Sequence, residues 1–138
     1  MASFNKFQTF VGDLGDKVHD LDADLIDCYL TNAAPDAAAD SVKADLAEIA
    51  TGNGYTGPED TTNAWAEAAG VGSMTGVDIV ITASGGTIGP FRYVVLQNNT
   101  PAAPLDPLIG WWDYGSAVTL QDGETFTIDF GATILTIT

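Results

Sequence analysis

The stretch Val77-Asp-Ile-Val-Ile-Thr82 sets Val77, Ile79 and Ile81 at alternate positions against Asp78, Val80 and Thr82. A period of two is the pattern of a strand with one face turned to a core. Four further segments of similar character follow: Phe91 to Gln97, Leu108 to Tyr114, Glu124 to Phe130 and Ala132 to Thr138. The links between them, Ser84-Gly-Gly-Thr-Ile-Gly-Pro90, Asn98-Asn-Thr-Pro-Ala-Ala-Pro104 and Gln121-Asp-Gly123, carry the residues that antiparallel turns need. Five strand segments with no helical pattern between them predict a mainly β chain, an antiparallel β-sandwich of jelly-roll kind.

Upstream of residue 77 the reading is more mixed. Phe4, Phe7, Phe10, Val11, Leu14 and Val18 recur at spacings of three and four, which predicts a helix over about residues 3–18 with Ser3 as its N-cap. Gly12 and Gly15 weaken that helix, so it must dock onto a sheet or a neighbouring subunit to be stable. Asp24 to Thr31 reads as a strand, stopped by Asn32-Ala-Ala-Pro35. Val42, Leu46 and Ile49 at helical spacing predict a second short helix near residues 39–50. Three glycines and a proline in Thr51-Gly-Asn-Gly-Tyr-Thr-Gly-Pro58 mark a turn. No repeat and no linker divides the 138 residues, which predicts one domain over 1–138.

Charge excludes some partners. Nineteen acidic side chains oppose four cations, Lys6, Lys17, Lys43 and Arg92, for a net charge of −15. Nucleic-acid affinity comes largely from Lys and Arg displacing counterions from phosphates, so nucleic-acid binding is not expected. The same sign disfavours docking on an anionic membrane leaflet. No apolar run approaches the roughly 20 residues of a membrane span, and the Met-Ala-Ser-Phe start lacks a secretory h-region, which points to synthesis in the cytoplasm. Cys28 is the only cysteine, which forbids an internal disulfide and predicts a small buried hydrophobe.

Catalytic constellations are equally sparse. Asp20, Asp22 and Asp24 alternate as an EF-hand loop begins, yet the sixth position is Leu25 where that loop needs Gly, and the twelfth is Thr31 where it needs Glu. A solvated acidic turn is the plainer reading, with a weak calcium site as its rival. His19 is the only histidine, and no Gly-x-Ser-x-Gly elbow accompanies it, which argues against a hydrolase triad. Gly52-Asn-Gly54 lacks the rest of a phosphate-binding loop. No cofactor is called for. Trp111 and Trp112, adjacent in a strand, must face opposite ways. Trp112 shares parity with Leu108, Gly110 and Tyr114 and is expected in the core; Trp111, in phase with Ile109 and Asp113, is expected to meet the helix or a partner.

Taken together, Phe4-x-x-Phe7-x-x-Phe10, His19-Asp-Leu-Asp-Ala-Asp24, Glu48-Ile-Ala-x-Gly-Asn-Gly-Tyr55-Thr56, Arg92-Tyr-Val-Val-Leu96 and Pro107-Leu-Ile-Gly-Trp-Trp-Asp-Tyr-Gly115 resemble a group of small structural proteins of tailed bacteriophages. In that group the Gly-Tyr-Thr turn usually runs into Gly-Gly, whereas here Gly57-Pro58 follows. The resemblance implies a non-enzymatic virion component: a capsid decoration (cement) protein bound to the major capsid protein, or a tail-associated module that binds a receptor or carbohydrate. It also implies a homo-oligomer, a trimer at local three-fold positions. A chain at −15 is repelled by packaged DNA, so the outer capsid surface suits it better than the interior. The side chains expected at such an interface are Phe4, Phe7, Phe10, Tyr55 and Trp111.

Overall fold

The computed structural model describes residues 2–138. These form strands β1 (Phe4–Lys6), β2 (Ile26–Thr31), β3 (Glu59–Asp60), β4 (Ala64–Ala68), β5 (Val71–Thr75), β6 (Ile79–Thr82), β7 (Ile88–Asn98), β8 (Leu108–Leu120), β9 (Thr125–Ile128) and β10 (Leu135–Ile137). One helix, α1 (Gln8–Gly15), and a 3-10 turn at Lys43–Asp45 complete the regular structure. Every strand pairing is antiparallel. The main sheet has the order β1-β8-β7-β2-β3, and two smaller sheets, β10-β5-β4 and β6-β9, form the opposing layer.

Within β6 the predicted alternation holds, with Ile79 and Ile81 buried, whereas Val77, in phase with them, lies outside the strand and is exposed. Cys28, Leu30, Val94 and Leu96 of the main sheet meet Met74, Ile79, Ile81, Ile128 and Leu135 of the smaller sheets in one buried cluster. Val80, between Ile79 and Ile81, is exposed. The opposite face of the main sheet carries a second cluster of Phe7, Tyr29, Leu46, Val95 and Leu108, edged by Trp111. Tyr29 and Val95 are directly paired across β2 and β7, one residue out of phase with Cys28 and Leu96. The main sheet is therefore covered on both faces within one chain. No helix among the described residues is long and apolar enough to cross a membrane.

Three upstream segments differ from the sequence reading. The helix predicted over residues 3–18 is shorter, because Phe4–Lys6 pairs as a strand with Gly110 to Trp112 of β8. Phe7, not Ser3, stands at the N-cap; it supplies no side-chain acceptor, and the Gln8 N–H donates to Ala37 O instead. Capping an otherwise bare sheet edge outweighs the helical spacing of the phenylalanines. The helix predicted near residues 39–50 is replaced by a turn, the 3-10 segment and two isolated bridges, Val42 to Pro107 and Thr31 to Glu48. Asp36 accepts from the N–H groups of Ala38 and Ala39, and Asp45 from those of Ser41 and Val42. Such local side-chain bonds offer the backbone an alternative to the helix. Finally, β4 and β5 form a hairpin in a stretch whose Ala, Glu and Gly content gives no strand signal. Ala69 and Gly70 turn it with φ of 52° and 82°, the type I′ geometry. The Trp65 ring lies where a Cβ on Gly72 would stand.

A bulge decides where the two tryptophans point. Leu96 pairs with Gly110 but Gln97 with Leu108, so Ile109 is an extra residue in β8. It inverts the phase, and Trp111 joins Leu108 on the outer face while Trp112 joins Ile109 at the main core. Trp112 is half-buried against the main core and Trp111 half-buried beside Phe7 in the satellite cluster, and the parity argument that separated them does not hold.

Candidate interaction site at the Tyr114 bulge

β8 carries a second irregularity that no strand pattern reveals. Tyr93 pairs with Asp113 and Phe91 with Val118, so Tyr114, Gly115, Ser116 and Ala117 stand opposite Arg92 alone. The protruding segment is braced from below. Arg92 Nε and Nη2 donate to Asp113 Oδ1 and Oδ2 at 2.8 and 3.1 Å, a bidentate pair. Asp113 Oδ1 also accepts from the Gly115 N–H at 2.8 Å, and Gly115 has φ of 102°, a conformation that favours glycine. The Arg92 contact and the Gly115 N–H hold the Asp113 carboxyl below the usual carboxylate range.

Tyr114 is thereby held with 57% of its surface exposed. Its ring meets Phe126 edge-on at 5.5 Å, and Phe126 in turn rests on buried Phe91 at 4.9 Å. Beside them opens a recess of about 240 Å³ whose lining includes Trp112, Tyr114, Phe126, Val94, Ile128 and Asp129. Trp112 is fixed by Phe4 at 5.4 Å and Phe130 at 5.8 Å. A bulge that re-aims one aromatic over an aromatic-walled recess is a form common at binding sites.

Of the residues expected at an interface, Phe7, Phe10 and Tyr55 are buried within the chain, while Phe4 and Trp111 are half-buried. Phe4 is half-buried over Gly110; Phe7 is fully buried against Trp111, with ring centroids 4.6 Å apart; Phe10 is buried beside His19. Tyr55, also expected at an interface, is a core residue with 1% exposure. Its hydroxyl donates to Glu48 Oε2 at 2.5 Å and accepts from the Leu30 N–H at 3.0 Å, while Lys43 Nζ donates to Glu48 Oε1 at 2.8 Å. Burial and the Glu48 carboxylate raise the Tyr55 hydroxyl pKa far above its ordinary value. This network fastens residues 43–48 to the sheet, a reason for the Gly-Asn-Gly-Tyr turn that has nothing to do with partners. Trp111 is half-buried in the satellite cluster. Sequence reasoning passed over Tyr114, Phe126 and Asp129. The available signal was Asp113-Tyr-Gly115, a turn tripeptide inside a strand, which marks a bulge.

The acidic side chains also have structural work. Most of the nineteen accept a backbone N–H, among them Asp60 from Thr62, Asp78 from Phe130, Asp122 from Gly85 and Glu124 from Gln121. In the acidic turn, Asp20 accepts from Asp22 and Ala23, Asp22 from Trp65, and Asp24 from Asp20 and the Asn98 amide. Those carboxylates are tied to protein donors and do not converge as ligands; among the described residues no three His, Cys, Asp or Glu side chains gather to hold a metal. His19 is 7% exposed, and its Nδ1 lies 3.0 Å from Asn98 Nδ2. Asn98 Oδ1 accepts from the Thr100 N–H, which orients the amide and makes its Nδ2 the donor to both Asp24 and His19. Burial lowers the His19 pKa, opposed by Asp13 and Asp24. Cys28 is fully buried, and burial raises its thiol pKa.

Comparison with protein-family profiles, with curated proteins and with solved structures finds no match to this chain.

Proposed function

We propose that this chain is a non-catalytic structural component of a phage virion, a decoration protein that binds neighbouring major capsid subunits on the outer surface of the head. The observation that carries the attachment part of this reading is the braced Tyr114 bulge over an open aromatic recess. Exposed, pre-positioned aromatics of this kind dominate the energetics of protein interfaces. The virion part rests on the resemblance described above and on a charge of −15, which suits a surface far from packaged DNA. Two features support a binding role over catalysis: the sole histidine is buried and bonded to Asn98, and most of the carboxylates cap turns. Assembly as a trimer belongs to the same reading.

The test is to add the purified protein to undecorated phage heads and image the particles. Added density on the outer capsid surface, with the Tyr114 face at the contact, is the expected result. A protein that stays in solution, or that decorates only tails, would overturn it. The aromatic recess, with Asp129 among its lining residues, also favours a second reading, a tail-associated module that binds carbohydrate by ring stacking. Selective binding to a glycan array would favour that reading over the first.

A further inference from the structure

We propose that the recess beneath Tyr114 receives the guanidinium of one arginine side chain projected by the partner protein. The inference rests on the attachment reading above for what the partner is, and on the recess itself for the chemistry. Small-molecule sites usually enclose about 300–1,000 Å³. At about 240 Å³ this recess is smaller, a size that one side chain can fill.

Its walls specify which side chain. Trp112, Tyr114 and Phe126 supply ring faces and edges, and Asp129 is the one acidic residue among those that line it. A planar, weakly hydrated guanidinium stacks on aromatic faces and pairs with carboxylates in one posture, which a compact ammonium does less well. The Asp129 carboxylate is restrained locally, since its Oδ1 accepts from the Gly131 N–H at 2.8 Å. The molecule uses the same chemistry internally: the Arg92 guanidinium stands 5.4 Å from the Tyr93 ring while paired with Asp113.

Charge complementarity settles the source of the arginine. A second copy of this chain brings another −15, and its one arginine is already paired with Asp113. A basic surface on a different protein is attracted by the field of this acidic chain.

The full-length protein, labelled for NMR of its aromatic rings and indoles, is titrated with N-acetyl-arginine amide, and in parallel with N-acetyl-norleucine amide. Saturable shifts at Trp112 and Phe126 with the arginine compound are expected, with affinity at least about tenfold above the norleucine compound. Tyr114→Ala and Asp129→Asn should each weaken that binding, and salt should weaken it in the wild type. Tyr114 is largely exposed and Asn retains the Oδ1 acceptor, so both variants should keep the wild-type circular dichroism. Equal affinity for the two compounds, or no response at Trp112 and Phe126, would overturn the inference. The titration needs no phage particle. Failure to decorate heads alongside a normal arginine response therefore counts against the virion reading alone, and decoration without an arginine response counts against the inference alone.

Discussion

The Phe4 ring occupies the space that a side chain on Gly110 would fill: a Cβ built there would lie 2.3 Å from Phe4 Cζ and 2.5 Å from Asn5 O. Only glycine lets β1 lie against β8 with Phe4 folded over it onto Trp112. Gly110→Ala must push Phe4 aside and loosen the N-terminal strand. The expected cost is about 1–3 kcal/mol, the range for forcing an extra methyl into a packed site. Urea unfolding measures it, and hydrogen exchange of the Phe4–Lys6 amides should show that strand opening first.

Trp111 and Tyr114 lie three residues apart on one strand, yet their alanine variants should behave differently. Trp111 packs at a tilt against buried Phe7 and edges the satellite core, so Trp111→Ala should lower stability by about 2–4 kcal/mol, somewhat less than a fully buried Trp would. Tyr114→Ala should leave the melting temperature nearly unchanged and weaken attachment to undecorated heads by about 2 kcal/mol. Calorimetry and a head-binding isotherm separate the two effects. Equal destabilisation by both would show that Tyr114 is a packing residue.

His19 should give the protein a distinct loss of stability on mild acidification. Its folded pKa lies below the ordinary 6.5, so the neutral form is favoured by folding. The contribution is fully present above pH 6.5 and is lost as pH falls from there through the folded pKa. A proton on Nδ1 would also face the Asn98 Nδ2 donor. Asp20, Asp45 and Asp113 have folded pKa values below 3.8, because they accept hydrogen bonds from backbone N–H groups or from Arg92, so their contribution is lost only below that pH. Chemical denaturation at a series of pH values should show two separate declines, and His19→Gln should remove the upper one alone.

Asp27 should have the opposite sign. It is buried on the outer face of the main sheet, bonded by Gln97 Nε2 at 2.8 Å and Asn99 Nδ2 at 2.9 Å. Burial nevertheless raises its pKa above 3.8, so its contribution is fully present below pH 3.8 and is lost as pH rises through the folded value. Asp27→Asn keeps the acceptor for Gln97 and removes the buried charge, with only the Asn99 amide needing to turn. The variant should be as stable as wild type or more so at pH 7, with the difference shrinking toward pH 3.8. A marked loss of stability at pH 7, read from the urea midpoint, would show that the charge itself is needed.

Much of the fold was legible because it rests on local periodicity. Ile79 and Ile81 point inward and Val80 outward as the alternation required, though Val77 falls outside β6 and is exposed, and each of the five downstream segments overlaps a strand of the structure. Turn chemistry located the links, and Cys28 lies buried as its solitude suggested. Those readings succeed because a strand with one buried face must alternate, whatever it packs against.

What only tertiary structure decided are the places where long-range pairing overrides a local pattern. Phe4, Phe7 and Phe10 are spaced for one helical stripe, but the edge of β8 takes Phe4 into a strand and sends Phe7 and Phe10 to opposite sides of the main sheet. Ile109, one residue extra against β7, reversed the phase on which the parity of Trp111 and Trp112 was argued. The recess at Tyr114 joins β8 to β9 and to Ala2 near the start of the chain, and Tyr114 enters its lining from the four residues of β8 that stand against Arg92 alone. A bulge is a mismatch in length between two strands far apart in sequence, so neither strand encodes it alone; it appears only when they are paired.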